Sequence, residues 1–251
     1  MTHHILITGS AGVIGRIACR ALASRGHTVR GLDIAPTPDQ PDHLVGSVAD
    51  RTLVDRAMQG VDTVIHLAAA LEWQDFLTEV IPANIAGVYH ILESAKAHGV
   101  QRVVLASSIM AVNGLLRTKP TLHVSDGTWP TNPYAASKIF AEALGQNYAR
   151  KANLAVMAVR IGWLPRTLKN AGEIERSKSF AAYLSHEDAG RFFIRAVEAT
   201  SDRLAPGSFH AMFLTSRPPE GTPTVYDLTE SRELLAFEPV DTFPGGMPFV
   251  L

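Results

Sequence analysis

Short, nearly continuous apolar runs alternate with longer amphipathic ones from the first residues onward, and this alternation constrains the fold more than any other feature. HILIT (4–8), TVRGLD (28–33), VDTVIHL (61–67), RVVLAS (102–107) and LAVMAVR (154–160) are the apolar runs. Strands buried on both faces of a sheet look like this. Between them, GRIACRALASRG (15–26), RTLVDRAMQG (51–60), PANIAGVYHILESAKAHG (82–99) and PYAASKIFAEALGQNYAR (133–150) place apolar residues at helical spacing. Repeated βαβ units predict an α/β fold, a Rossmann-like, doubly wound parallel sheet covered by helices. Two segments break the pattern: residues 114–133, rich in Thr and Pro, and residues 163–180, rich in Lys and Arg. Long loops at the carboxyl ends of parallel strands usually carry the substrate site. After His210 the chain turns polar and proline-rich, with one short helix expected near 229–237. A single domain over 1–251 follows, with 163–180 and 205–251 forming a small substrate-side cap.

The first strand runs into TGSAGVIG (8–15), which spaces Gly9, Gly12 and Gly15 as GxxGxxG. Glycines at such a turn let the backbone N–H groups and the following helix N-terminus, here Val13, Ile14 and Gly15, approach a pyrophosphate. Helix packing alone would also use three glycines, but the strand before, the helix after and the acid Asp33 at the end of strand two suit a dinucleotide. A carboxylate there accepts hydrogen bonds from the adenosine ribose hydroxyls and repels a 2′-phosphate. No Arg or Lys lies between Ile34 and Gln40, so NAD is favoured, while Arg16 and Arg30 leave NADP open. Asp50 sits where a loop could reach the adenine amino group, and it is equally placed to cap the next helix.

Composition excludes several partners. A net charge of −1 offers no basic surface for nucleic acid or an acidic membrane. One cysteine, Cys19, allows no internal disulfide and no cysteine-based metal cage, and no metal is expected. No run of 18 apolar residues and no signal-like leader occurs. The expectation is a cytoplasmic protein with a small-molecule substrate. The apolar stripe of IFAEALGQNYAR would serve a homo-oligomer or pack on the sheet.

In NPYAASK (132–138), Tyr134 and Lys138 lie one turn apart on one helix face, separated by small residues. A free phenol has a pKa near 10, so only about one part in 10³ is ionised at pH 7. A nearby ammonium and a positive nicotinamide ring both favour the phenolate and lower that pKa toward the working pH. A serine hydroxyl at a strand end would hold the substrate oxygen against the phenol. Ser108 is the choice, with its neighbour Ser107 pointing the other way. In YLSHEDAG, Ser185 reads as a helix cap with Asp188 at the third position.

Together TGSAGVIG (8–15), Asp33, Asp50, HLAAA (66–70), Asn84 in NIAG, SS (107–108) and PYAASK (133–138) resemble the extended short-chain dehydrogenases, the NAD-dependent epimerase/dehydratase family. The resemblance implies Ser108, Tyr134 and Lys138 as the catalytic triad, with Lys138 also holding the nicotinamide ribose. It implies that Leu67, Ala68, Ala69 and Ala70 line the cofactor channel and that Asn84 supports the site. His66 ends a buried strand and reads as a satisfied core group rather than a catalyst.

Within that family AHGVQRVVLASS, VRIGW (159–163) and YLSHEDAGRFF (183–193) are similar to segments of the uronate dehydrogenases, which oxidise an aldohexuronic acid at C1. Those enzymes carry a serine after the HLxx segment and an asparagine and histidine after the catalytic serine. This chain has Leu71, Ile109 and Met110 there. A pocket built to bond hydroxyls rejects molecules lacking them, so three apolar replacements should change the substrate. The resemblance also implies an arginine for the substrate carboxylate, and among Arg166, Lys169, Arg176 and Lys178 the choice is Arg176. The expected activity is hydride transfer from a hydroxyl-bearing carbon of a sugar-like substrate to NAD. An epimerase that retains its NAD and a non-catalytic NAD sensor are the alternatives. A 4,6-dehydratase fits less well, because Ile109 and Met110 cannot move a proton.

Overall fold

Seven strands lie parallel in one sheet: β1 (His4–Thr8), β2 (Thr28–Asp33), β3 (His43–Val45), β4 (Thr63–His66), β5 (Arg102–Ser108), β6 (Ala155–Ile161) and β7 (Phe209–Leu214). The computed structural model describes residues 2–37 and 40–248. The order is β3-β2-β1-β4-β5-β6-β7, so the winding reverses between β1 and β4 and opens a crevice at their carboxyl ends. Helices α1 (Val13–Ser24), α2 (Arg51–Ala57), α3 (Gly87–Ala97), α4 (Pro133–Ala152), α5 (Leu168–Ser177), α6 (His186–Glu198) and α7 (Thr229–Leu235) follow in chain order.

Successive side chains of a strand point to opposite faces, which divides the apolar residues between two cores. Ile5 and Ile7 of β1 pack with Ile17 and Leu22 of α1 and with Phe192 and Phe193 of α6. Leu6 packs on the other side with Val54, Ile91, Leu92 and Tyr148 of α2, α3 and α4. Each such side chain contributes about 1.5–3 kcal/mol on full burial. Helix starts agree with local chemistry. The Asn132 side chain accepts from Ala135 N at 2.7 Å with Pro133 at the first turn of α4, and Ser185 accepts from Asp188 N at 2.8 Å.

The structure departs from the sequence expectation in four places. β3 and β7 are additional edge strands. β3 is only three residues long, and β7 (FHAMFL) begins beside His210, where the chain was read as turning into the cap. Residues 209–214 belong to the sheet instead, paired with β6 from Val156↔Phe209 to Ile161↔Leu214. The basic segment 163–180 contains α5, started by the Thr167 side chain accepting from Asn170 N at 3.2 Å. The helix expected from 82 starts earlier, at Phe76, as a π-helical segment (Phe76–Ala86) with Pro82 inside it. The wider π turn accommodates a ring that would clash with the carbonyl four residues back in an α-helix.

The remaining chain is tied down by side chains. Ile109 and Val112 after β5 form a third cluster with Leu122, Phe213, Tyr226 and Leu228, joining the loop 114–133 to the C-terminal segment. Asp188, fully buried, accepts from Val240 N at 2.9 Å, Asp241 N at 3.1 Å and Ser216 Oγ at 2.7 Å, which pins that segment to α6.

His66 ends β4 opposite Thr8 of β1, and Thr8 Oγ1 lies 2.7 Å from its Nδ1. The sequence reading of a satisfied core group holds for one ring nitrogen; buried Nε2 has no hydrogen-bond partner. Burial, and then the charge of Lys138, holds the imidazole pKa down from 6.5 to about 3. The folded protein therefore keeps His66 neutral where the unfolded chain protonates it. Stability from this group is complete above pH 6.5 and falls as pH drops toward 3. Urea denaturation across that range should show an acid loss of several kcal/mol in the wild type that His66→Gln flattens.

Candidate active site

The crevice floor is backbone against backbone. Gly9 has φ +72°, and a Cβ there would sit 2.7 Å from Ala68 N. A Cβ on Gly15 would sit 2.1 Å from the Gly9 carbonyl oxygen. No side chain heavier than hydrogen fits at either place. The first turn of α1 contains Val13, Ile14 and Gly15, carries no acid and has no side-chain cap, so its N–H groups remain open to an anion. Asp33, at the tip of β2, accepts from Ala11 N and Ala35 N, both at 2.9 Å. That places the carboxylate beside the glycine turn with lone pairs left for ribose hydroxyls. The donor set and the cradle fit a dinucleotide. Asp50 caps α2, accepting from Leu53 N at 3.1 Å, one of the two roles its position allowed.

The segment after β4 forms the next wall. Leu67 N donates to the Thr8 carbonyl at 3.1 Å, and Ala68 N to Thr8 Oγ1 at 3.2 Å. Asn84, buried in the π-helical segment, accepts from Ala70 N at 2.8 Å and donates to the Ala70 carbonyl at 3.1 Å and Ser137 Oγ at 3.0 Å. One side chain thus links the Leu67–Ala70 stretch to α4, the helix of Tyr134 and Lys138.

Ser108 ends β5, and its Oγ accepts from Met110 N at 3.2 Å, leaving the hydroxyl proton free to donate. Ser107 turns to the opposite face and donates to Glu142 Oε1 at 2.5 Å, as alternation requires. Helix α4 crosses β5 with Gly145 against Leu105 and the Lys138 ammonium donating to the Ala106 carbonyl at 3.0 Å. Tyr134 lies one turn earlier in α4, on the side of Lys138 toward the carboxyl end of β5.

The electrostatics correct the sequence argument for Tyr134. Lys138 Nζ lies 5.5 Å from the Tyr134 ring centroid. Burial nevertheless dominates and raises the phenol to about 12, with Arg166 pulling it down and Glu72 pushing it up. The ammonium is itself pushed down by burial, from 10.5 to about 8. In the protein alone a phenolate has too little solvent to be favoured, and the lysine does not reverse that.

Of the residues expected on the substrate side, Leu71 and Met110 are half-buried, whereas Ile109 packs in the third apolar cluster. Arg176 is exposed on the last turn of α5. The basic residue that acts on Tyr134 is Arg166, ten residues earlier, and the acid is Glu72, which accepts from the α4 cap Asn132 Nδ2 at 3.2 Å. Spacing could not separate Arg166 from its neighbours because α5 was read as loop. A cavity of about 330 Å³ beside Arg217, Tyr226 and Arg232 contains none of these site residues. Among the described residues no group of three or more His, Cys, Asp or Glu could hold a metal, and no helix is long and apolar enough to cross a membrane.

The doubly wound sheet, with a glycine cradle at its switch point, defines a dinucleotide-binding protein. Residues 5–164 match the NAD dependent epimerase/dehydratase family, and the chain belongs to it. It is 31% identical to a uronate dehydrogenase of Pseudomonas syringae pv. tomato over 78% of this chain and 70% of that protein. It is 32% identical to the L-arabinose 1-dehydrogenase (NAD(P)(+)) of Haloferax volcanii over 94% of this chain and 96% of that one. Among solved structures, a mutated uronate dehydrogenase superposes with a TM-score of 0.81 at 27% identity, covering 96% of this chain and 83% of that one.

Lys138 carries a stability cost that follows from its burial. Its pKa lies near 8 in the fold against 10.5 when unfolded, so the penalty is full below pH 8 and disappears as pH rises toward 10.5. At pH 7 Lys138→Met should stabilise the coenzyme-free protein by about 1–2 kcal/mol, the lost hydrogen bond to Ala106 offsetting part of the gain. Urea titrations at pH 7 and pH 10 should show the advantage shrinking at the higher pH.

Proposed function

We propose that the protein is an NAD-dependent dehydrogenase that oxidises a hydroxyl-bearing carbon of a small, sugar-like substrate. The observation that carries this reading is the Ser108, Tyr134 and Lys138 set at the carboxyl end of β5, beside the glycine cradle. The two relatives, named as dehydrogenases of uronates and of L-arabinose, support it. Gly9, Gly12, Val13, Ile14 and Gly15 would hold the pyrophosphate, Asp33 the adenosine ribose, and Leu67 to Ala70 the channel toward the nicotinamide. Asp33 and the lack of Arg or Lys from Ile34 to Gln40 favour NAD over its phosphorylated form.

Bound NAD supplies the hydride acceptor and a positive ring. Ser108 donates a hydrogen bond to the substrate oxygen and orients it. Tyr134 takes the hydroxyl proton as general base. Lys138, anchored on the Ala106 carbonyl at 3.0 Å, holds a positive charge beside the phenol and has donors left for a ribose hydroxyl. Since the phenol lies near 12 in the protein alone, the base becomes competent only when a further positive charge enters the crevice. This makes proton abstraction dependent on coenzyme binding.

Arg166 and Glu72 set the charge of the substrate side. Arg166 offers a planar partner to a substrate carboxylate, and Glu72 disfavours one. Leu71 and Met110 suit the less polar part of a sugar ring. The half-exposed Ile139, Phe140 and Leu144 of α4 give a second copy of this chain an apolar face to pack on.

Purified protein mixed with NAD and a panel of uronic acids, neutral aldoses and secondary alcohols should form NADH, followed by its absorbance, and Tyr134→Phe should abolish it. No NADH with any of them, together with NAD that co-purifies, would overturn the dehydrogenase in favour of an epimerase. Arg166→Met should lower kcat/KM for uronates more than for neutral aldoses. It should also move the acid-side limb of the pH–rate profile to higher pH, because Arg166 lowers the Tyr134 pKa. Glu72→Gln should move that limb the other way.

A further inference from the structure

Glu142 and Arg160 form an ion pair in the protein interior that none of the chemistry above uses. Glu142 follows Lys138 by one turn on α4 and is 8% exposed, and Arg160 on β6 is 3% exposed. The pair is bidentate, with Nε to Oε1 and Nη2 to Oε2 both at 3.0 Å. Ser107 Oγ donates to the same Oε1 at 2.5 Å, and the guanidinium carbon lies 5.4 Å from the Phe213 ring centroid. Burying two charges is expensive, and an apolar pair of similar volume is often as stable or more so. Stability therefore does not account for the pair.

Its connections suggest what does. Ser107 lies between Ala106, whose carbonyl holds the Lys138 ammonium, and Ser108. Beside the Lys138 hydrogen bond, α4 meets β5 largely through apolar groups: Ala141 and Ala149 are buried, and a Cβ on Gly145 would sit 2.6 Å from Leu105 Cδ1. Such a surface allows a close approach but is non-directional, and the single hydrogen bond from the flexible Lys138 fixes the helix only loosely on the strand. A planar fork on a carboxylate fixes both distance and angle.

We propose that Glu142, Arg160 and Ser107 are positioning residues for the dehydrogenase chemistry: their buried network sets the register of α4 on β5, which keeps Tyr134 and Lys138 aligned with Ser108. The inference rests on the proposed function, so wild-type activity is measured first. Its complete absence would sink that function and is distinct from the outcomes below.

Removing one charge alone strands the other, and such variants are expected to unfold. The test is the double variant Glu142→Leu/Arg160→Met, with Ser107→Ala as a second probe that removes a hydrogen bond and no charge. Unfolding midpoint, NAD affinity by fluorescence quenching, kcat, KM and the kcat pH profile are measured on each. The expected result is a midpoint at or above wild type, NAD affinity and KM within about twofold, kcat lower by about tenfold or more and a displaced pH profile. Ser107→Ala should show a smaller kcat loss that Ser107→Thr restores. A folded double variant with wild-type kcat and pH profile would overturn the proposal. Should the double variant not fold, a folded Ser107→Ala protein with unchanged kcat and pH profile would overturn it equally.

Discussion

The contact of backbone on backbone at the first turn governs how the rest of the crevice can be built. Gly9 lies so close to Ala68 N, and Gly15 so close to the Gly9 carbonyl, that a single methyl group at either would clash at 2.7 and 2.1 Å. Because β1, the start of α1 and the exit of β4 meet there without side chains between them, the helix N-terminus opens directly onto the switch point of the sheet. Asp33 is bonded into the same turn through Ala11 N. A carboxylate that would otherwise swing in solvent is thereby held where ribose hydroxyls would meet it.

A second contact, between α4 and β5, brings Lys138 against the Ala106 carbonyl two residues before Ser108. Two polar devices act on this helix from opposite sides. Asn84 ties Ser137 to the strand exit at Ala70, and the Glu142–Arg160 pair ties the next turn to β5 and β6. Between them lies Lys138, whose charged form is disfavoured by its surroundings and held by one carbonyl. Buried polar groups with partners specify an arrangement more sharply than apolar packing does, at a cost in stability. The cost is concentrated at the proposed site, as expected when a fold departs from its most stable arrangement for function.

The opposing influences on Tyr134 show how such a site can be gated by charge. Burial outweighs the neighbouring cations and keeps the phenol protonated. Under the proposed function, a positive charge entering the crevice would shift this balance toward the phenolate through electrostatics, without a moving part. Arg166 and Glu72 modulate the same balance from the substrate side.

Much of this was legible in the chain. The alternation of apolar runs and helical spacing specified the parallel sheet, because a strand covered on both faces tolerates few polar residues. The glycine spacing, Asp33, the serine pair and the Tyr–Lys spacing marked the candidate groups at its carboxyl edge, because each depends on neighbours a few residues apart. What depends on distant chain segments was not legible. The three-residue β3 and the His210-containing β7 are strands only because neighbouring strands offer their open edges. Ile109 points into an apolar cluster completed by Tyr226 and Leu228, more than a hundred residues away. Arg166, before α5, rather than Arg176, on its exposed last turn, acts electrostatically on the phenol. Sequence determined the fold, the family and the candidate groups at the carboxyl edge of the sheet. The tertiary structure decided which charges surround those groups, because burial and Coulomb interaction act through space and are set by residues far apart in the chain.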